Sequence, residues 1–410
     1  MERKMKNVLR HKILTVVVLA FCISGILSCS KVIHKESTVK VGLLHSLTGT
    51  MAISEIPLRN AELLAIQEEN ERGGILGRQI EVIEEDGESA PQVFAYKMQK
   101  LLEEDKVSTV FGCWTSASRK AVKPIVEKDY GLLWYPLQYE GMEASPNIMY
   151  TGASPNQQVV PAIDYCMENV GKRLFLLGSD YIFPHTANKI INAQLKTYDT
   201  QNVGEEYFPL GHTDFTDVIN QIAKAKPDVV INTLNGDSNI AFFHQLAQKG
   251  YTADDFVVLS FSISEQEIQE IGPSNVVGHL TAWNYYQTTQ NKKNEEFVRA
   301  YKAEFGEEKV TGDPIASAHL AVHLWAAACR KAGSFDVEAV RIAAKGLNYD
   351  SGEGPVTIDG GNQHLYKTVR IGKINSQGLI DEIWATPEPV KPDPYLSSYY
   401  WALGLLDNDD

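Results

Sequence analysis

Residues 112–141 read GCWTSASRKAVKPIVEKDYGLLWYPLQYEG, and the reading of this stretch decides the fold. A strand over 109–112 exits into Cys113-Trp114-Thr115-Ser116. An amphipathic helix follows, with Val122, Ile125 and Val126 on its apolar side and Ser116 or Ser118 placed to cap it. A second strand over 132–135 exits into Pro136-Leu137-Gln138-Tyr139. Both exits carry flat aromatic rings beside hydroxyl and amide groups. In an open parallel α/β sheet, adjacent strand ends face one crevice, and ligands bind there.

The same alternation extends outward on both sides. Upstream, 39–44 (VKVGLL) reads as a buried strand, 59–71 as a helix stopped by Gly73-Gly74, 79–84 as a strand and 92–102 as a helix. Downstream, 148–151 is strand-like and leads into Gly152-Ala153-Ser154-Pro155, a place for the chain to cross to another domain. A second series follows: helices over 157–167, 186–195 and 214–225, and strands over 173–177, 205–209, 229–232, 256–261 and 280–283. Helices over 294–305 and 313–332 come next. A hairpin-like part over 356–385 precedes the Pro-rich 387–394. The fold class is α/β, with two lobes that are each a mainly parallel sheet flanked by helices, and a ligand cleft between them. The first lobe is expected to comprise 38–154 with 286–350, and the second 155–285 with 351–400.

Residues 1–28 have the layout of an export signal. Arg3, Lys4, Lys6, Arg10 and Lys12 precede an apolar run over 13–27 that is shorter than a bilayer span requires. The run ends in Ile26-Leu27-Ser28-Cys29, which resembles the lipobox of bacterial lipoproteins and makes Cys29 the expected acylation site. Residues 29–37 then form a tether. This places the folded part outside the cytoplasmic membrane, in the periplasm or at the cell surface, with membrane contact through the lipid anchor only. Hydrophobic residues are 44% and charged residues 22% of the 410, ordinary for a folded core. The formal charge is −14, and the signal carries five Lys/Arg and one Glu, so the remainder stands at −18. That balance argues against nucleic acid and anionic lipid as partners. Beyond the signal, Cys113, Cys166 and Cys329 fit no disulfide framework or zinc motif and are expected as buried thiols.

Candidate binding residues gather at strand exits: Trp114, Thr115, Ser116, Tyr135 and Gln138 in the first series, and Tyr181 and Asp237 with Gly236 in the second. Trp283 and Tyr285 stand near a crossing. Flat rings supply planar contact area, Gln138 offers both donors and an acceptor, and an ionised Asp237 offers acceptors. Such a set suits a small, neutral, planar solute rich in N–H groups. Catalytic machinery is not legible. His319 and His323 stand at i and i+4, a metal-ligand spacing, but Leu320 occupies the position where a zincin carries Glu, and no third ligand is in view, so the pair reads as structural and no metal is expected. There is no phosphate loop, dinucleotide fingerprint or G-x-S-x-G elbow. Cys113 has no local base to activate it. The acidic run Glu81, Glu84, Glu85, Asp86 and Glu88 reads as a strand edge and solvated loop, with oxygen donors of the kind Ca²⁺ takes.

Longer segments carry a family resemblance: GLLHSLTGTMAISEIPLRNAELLAIQEEN, GGILGRQIEVIEEDG, GCWTSASRKAVKPIVEK, LLWYPLQYEGMEASPNIMYTGASPNQQ, LLGSDYIFPHTANKI, GEEYFPLGHTDF, PDVVINTLNGDSN, HLTAWNYYQTT and EPVKPDPY. Over nearly all of the chain beyond the signal, the sequence resembles the type I periplasmic solute-binding proteins of the Leu/Ile/Val-receptor fold, and among them the urea and short-chain amide receptors. The resemblance implies a non-enzymatic receptor without a cofactor, which hands urea to an ABC importer of two permeases and two ATPases. It implies that Trp114 and a facing Tyr sandwich the urea plane. The Ser116 N–H, Thr115 or Gln138 would hold the carbonyl oxygen, and Asp237 would accept N–H bonds once the lobes close. The alternatives are a receptor for short-chain aliphatic amides, an exported amidohydrolase and a ligand-sensing regulator.

Overall fold

The computed structural model describes residues 38–405; the signal, the tether and Cys29 lie outside the described residues. The first run of the chain is β1 (Val39–His45), α1 (Ala52–Glu71), β2 (Ile80–Asp86), α2 (Pro91–Glu103), β3 (Val110–Gly112), α3 (Ser116–Lys128), β4 (Leu133–Tyr135) and β5 (Ile148–Tyr150). These five strands form one sheet in the order β2-β1-β3-β4-β5, with every neighbouring pair parallel. Both faces are covered, which is why β1, β3 and β4 are apolar almost throughout rather than alternating.

The second run is α4 (Val159–Asn169), β6 (Leu174–Ser179), α5 (Ile182–Leu195), β7 (Gly204–Phe208), α6 (Thr216–Ala225), β8 (Val229–Thr233), α7 (Asp237–Gln248), β9 (Val257–Ser260), α8 (Glu265–Ile271) and β10 (Leu280–Trp283). The chain then returns to the first lobe as α9 (Lys292–Phe305), α10 (Asp313–Ala332) and α11 (Val337–Ala344). It ends with β11 (Asn348–Ser351), β12 (Gly354–Ile358), β13 (Leu365–Tyr366), β14 (Arg370–Ile374) and β15 (Ile380–Ala385). The second sheet has the order β15-β14-β10-β9-β8-β6-β7. It is parallel from β10 to β7, with β14 and β15 added as an antiparallel edge.

Each sheet separates two apolar clusters. In the first lobe, Phe94, Met98, Val122 and Val126 cover one face, and Phe111, Trp134, Leu324 and Trp325 the other. In the second, Ile163, Ile190 and Leu176 lie opposite Phe175, Ile219 and Phe243. Among the described residues, no helix is long and apolar enough to cross a membrane.

Three features differ from the sequence reading. The first helix begins at Ala52, not 59, and runs through Pro57; the proline forgoes one backbone hydrogen bond and the helix tolerates it. The short helices α8 and α11 were not anticipated. The last crossing also lies later than 350. Strands β11–β13 form their own antiparallel sheet, and Val356, Ile358 and Leu365 pack with Trp325 in the first lobe's core. Tyr150 also bridges to His364. The chain therefore leaves the first lobe between Tyr366 and Arg370. There the buried Lys367 ammonium donates to Thr151 O and to Glu353 Oε2, both at 2.8 Å.

Candidate functional site

The turn after β3 is shaped by its backbone. Gly112 has φ +146°, and a Cβ there would lie 2.1 Å from Leu44 O, so the strand can approach β1 only with glycine at this position. Cys113 follows at φ +65°. Its buried thiol is free, and burial pushes its pKa above the ordinary range. Thr115, rather than Ser116 or Ser118, is the N-cap of α3: its Oγ1 accepts from Ser118 N at 3.0 Å. The N–H groups of the first turn of α3 consequently face the carboxyl end of the sheet.

Below this turn lies a buried ionic cluster. Arg119, fully buried, donates to Glu140 Oε1 (2.8 Å), Glu143 Oε1 (3.0 Å) and Ser116 Oγ (2.9 Å). Its guanidinium also lies over the rings of Tyr135 (5.0 Å) and Tyr139 (4.6 Å). Burial alone would lower its pKa, but Glu140, Tyr135 and Glu143 outweigh it and hold the charge firmly. Ser116 Oγ in turn donates to Glu140, and Tyr135 OH donates to Trp114 O at 2.6 Å. The cluster fixes the two strand exits to each other, and Arg119 is fully paired within it.

Across the cleft the lobes are drawn together. Trp114 Nε1 donates to Asn235 Oδ1 at 3.1 Å, and Gln138 Nε2 donates to Phe261 O at 2.8 Å. Ser54 Oγ at the start of α1 donates to Glu267 Oε1 on α8 at 2.8 Å. Gly236, at φ +63°, approaches so closely that a Cβ would lie 2.6 Å from Thr50 O. The Tyr181 phenol is enclosed beside Asn235 and the first lobe's Tyr135 and Glu140, and burial raises its pKa well above 10, keeping it a neutral donor. Two polar atoms in this zone, Gln138 Oε1 and Thr50 Oγ1, are buried without a hydrogen-bond partner. An unsatisfied buried group costs about 1–3 kcal/mol, so a ligand that supplies N–H donors recovers that cost.

The structure brings Trp114, Gln138, Tyr181 and Gly236 to the interlobe zone, while the Thr115 side chain is committed to Ser118 at the start of α3. It does not bring the others. The Ser116 side chain turns to Glu140 and Arg119, leaving only its backbone for a ligand. Tyr135 lies beneath the turn as a support. Asp237 is exposed at the first turn of α7, because the strand exit turns inward two residues earlier, at Asn235. Trp283 is in the second lobe's core with Nε1 donating to Ile263 O (2.7 Å). Tyr285 is in the first lobe's core, where its hydroxyl meets Asn294 Oδ1 (2.6 Å) and Thr311 Oγ1 (2.7 Å). Asn235, Thr50 and the Phe261 carbonyl were not anticipated. Asn235 stands in the same polar strand exit as Asp237, whereas a main-chain carbonyl leaves no trace in sequence. The acidic run is paired: Glu84 with Arg59, and Glu85 with Lys97 and Lys100.

Comparison with known proteins gives the chain a setting. A family model described as a periplasmic binding protein domain matches residues 39–400. The chain is 20% identical over 335 residues to the Leu/Ile/Val-binding protein homolog 7 of Brucella melitensis, covering 78% of this chain and 83% of that protein. A shorter match, 25% identical over 128 residues, is to limonene hydroxylase of Geobacillus stearothermophilus. It spans 31% of this chain and only 23% of that protein. Among solved structures, a solute-binding protein of an ABC transporter from Rhodopseudomonas palustris BisB5, in complex with 3,4-dihydroxybenzoic acid, superposes with a TM-score of 0.78 at 24% identity, covering 86% of this chain and 98% of that one.

Proposed function

This chain belongs to the periplasmic binding protein family, and from that premise we propose that it is a solute-binding receptor of an ABC transporter whose solute is urea, captured in the interlobe cleft. The carrying observation is Gln138: its Nε2 is spent on the opposite lobe at 2.8 Å, while its Oε1 is buried and unpaired. That leaves one acceptor aimed at a solute N–H. Thr50 Oγ1 is a second unpaired position, and the Trp114 ring is a flat wall for a planar molecule. The carbonyl oxygen of the solute goes to the first-turn N–H groups of α3, where the helix dipole favours partial negative charge.

Charge supports a neutral solute. Trp114, Thr115, Gln138, Tyr181 and Asn235 carry none, and the buried Arg119 is committed to Glu140 and Glu143. A carboxylate such as the dihydroxybenzoate of the R. palustris receptor would find no unpaired cation among these residues. Short-chain aliphatic amides are the second reading, since they offer the same carbonyl and N–H₂ and differ by apolar bulk that Trp114 could face. Hinge closure around the solute then creates the surface that two permeases with their ATPases read, and acylated Cys29 anchors the receptor. The role is capture without turnover.

Equilibrium dialysis of the purified protein against labelled urea, with acetamide, formamide, leucine and benzoate as competitors, tests the assignment. Urea is expected to be retained and displaced by the amides only. Retention of leucine or benzoate with no retention of urea would overturn it. Ammonia release during the incubation would replace the receptor with an amidohydrolase.

A further inference from the structure

We propose that Glu68, His319 and His323 form a site for a zinc-class divalent cation on the outer side of the first lobe, joining α1 to α10. The two imidazoles stand one helical turn apart on the same face of α10. Their Nε2 atoms converge on one oxygen of Glu68 from α1: His323 Nε2 is 3.0 Å and His319 Nε2 3.5 Å from Glu68 Oε2. One ligand atom from each of the three residues lies within 4.8 Å of the others. A tetrahedral site with metal–ligand bonds of ~2.0–2.1 Å has ligand-to-ligand edges of about 3.3 Å, which the two histidine–Glu68 spacings of 3.0 and 3.5 Å bracket. Two imidazoles and a carboxylate select zinc-class metals over Mg²⁺ or Ca²⁺, which take oxygen donors.

Three further observations separate this from a buried salt bridge. First, His319 Nε2 is buried without a hydrogen-bond partner; an ion pair between Glu68 and His323 leaves it stranded, whereas a cation gives it a role. Second, the other nitrogen of His323 is already used: Nδ1 meets Glu69 Oε1 at 2.6 Å, and Glu69 is held by Arg330 and by Arg72 (3.2 Å). A carboxylate on Nδ1–H turns the Nε2 lone pair outward, which is the arrangement that orients metal-bound histidines. Third, the trio opens onto a pocket of about 130 Å³ bounded by Lys293, Tyr349 and Asp350, which leaves room for water or a further ligand. Arg72, 57% exposed and paired to Glu68 (3.5 Å) and Glu69 (3.2 Å), competes with a cation for Glu68, and Lys293 also borders the pocket. Spacing along the chain showed two ligands and no third, because Glu68 lies some 250 residues upstream.

The test uses tag-free, chelator-stripped protein and Zn²⁺ alone, with a chromophoric chelator as competitor and Co²⁺ as a spectroscopic reporter. One equivalent of Zn²⁺ is expected per chain, with a tetrahedral Co²⁺ spectrum and a metal-dependent rise in Tm. His319→Ala and Glu68→Gln should each abolish stoichiometric binding and the Tm rise. Glu69→Gln, which touches no metal, should weaken Zn²⁺ roughly 10–100-fold. Urea binding should be unchanged throughout, since the site is outside the cleft. Glu68 is partly exposed, so if His319→Ala fails to fold, Glu68→Gln decides alone. Substoichiometric Zn²⁺, or stoichiometric Zn²⁺ that survives either ligand substitution, overturns the site.

Discussion

Replacing Gln138 with leucine separates the cleft's polar recognition from its shape. The side chain is of similar size, so the exit after β4 should keep its packing. Two interactions disappear: the 2.8 Å bond to Phe261 O that holds the lobes together, and the Oε1 acceptor offered to the solute. A net hydrogen bond contributes ~0.5–1.5 kcal/mol, and a partner left buried and unpaired costs about 1–3 kcal/mol. With Phe261 O left only its long 3.4 Å bond from Gln158 Nε2 and a solute N–H unmatched, the expected loss is about 2–3 kcal/mol, or roughly 30- to 150-fold in Kd at 1.4 kcal/mol per decade. Urea has four heavy atoms, and the best very small ligands reach ~−1.5 kcal/mol per atom. Wild-type affinity is therefore bounded near −6 kcal/mol, a Kd of order tens of micromolar, and the variant should fall to about millimolar. Isothermal calorimetry on both proteins reads this directly. Asp237→Ala is the control: with its side chain exposed, it should change Kd by less than about twofold. An unaltered Kd in Gln138→Leu, or a large loss in Asp237→Ala, would refute the placement of the acceptor.

Other substitutions test the supports. Gly236→Ala puts a methyl 2.6 Å from Thr50 O at φ +63°; closure should be blocked and urea affinity should drop at least tenfold, with calorimetry as the readout and an unchanged Kd as the contrary result. Arg119→Met leaves Glu140 buried without its cation and Glu143 with only the 3.4 Å contact from Lys120, which costs about 3–5 kcal/mol; guanidinium unfolding should show a clearly lower midpoint, and an unmoved midpoint would mean the cluster is not structural. Burial raises the Glu265 pKa to about 8, against 4.5 ordinarily; the Gln287 N–H bond opposes the shift and nearby Asp313 adds to it. The folded state therefore binds more protons than the unfolded state between pH 4.5 and 8. Its stabilising contribution is complete below pH 4.5 and is lost as pH rises towards 8, at up to ~1.4 kcal/mol per pH unit. Melting curves at pH 5 and 8 should show Glu265→Gln losing that slope; parallel slopes in both proteins would contradict it.

The architecture was legible because periodicity survives burial. The runs at 39–44, 109–112 and 132–135 are too apolar and too short for helices, and the helices between them are amphipathic, so a parallel sheet follows. The lobe boundary was less legible. The segment 356–385 looks like one hairpin, yet Val356 and Ile358 pack on the first lobe while Ile371 and Ile374 pack on the second; local alternation does not say which core a strand joins. At the site, residues just past a strand end were the easiest to nominate: Trp114 and Gln138 follow the ends of β3 and β4, and both bond to the second lobe. Asp237 was misplaced because two residues of helix start rotate a side chain from cleft to solvent. Trp283 and Tyr285 look like Trp114 in composition, and only packing shows that they are core. The His319–His323 pair shows the converse, since its partner carboxylate is distant in sequence and adjacent in space.

A crystal structure of the protein grown with urea tests the central claim most directly. Urea is expected between the lobes, lying against the Trp114 ring, with one N–H on Gln138 Oε1 and its oxygen on the first-turn N–H groups of α3. Urea bound elsewhere, with a cleft that stays closed on itself or takes up a different solute, would contradict the account.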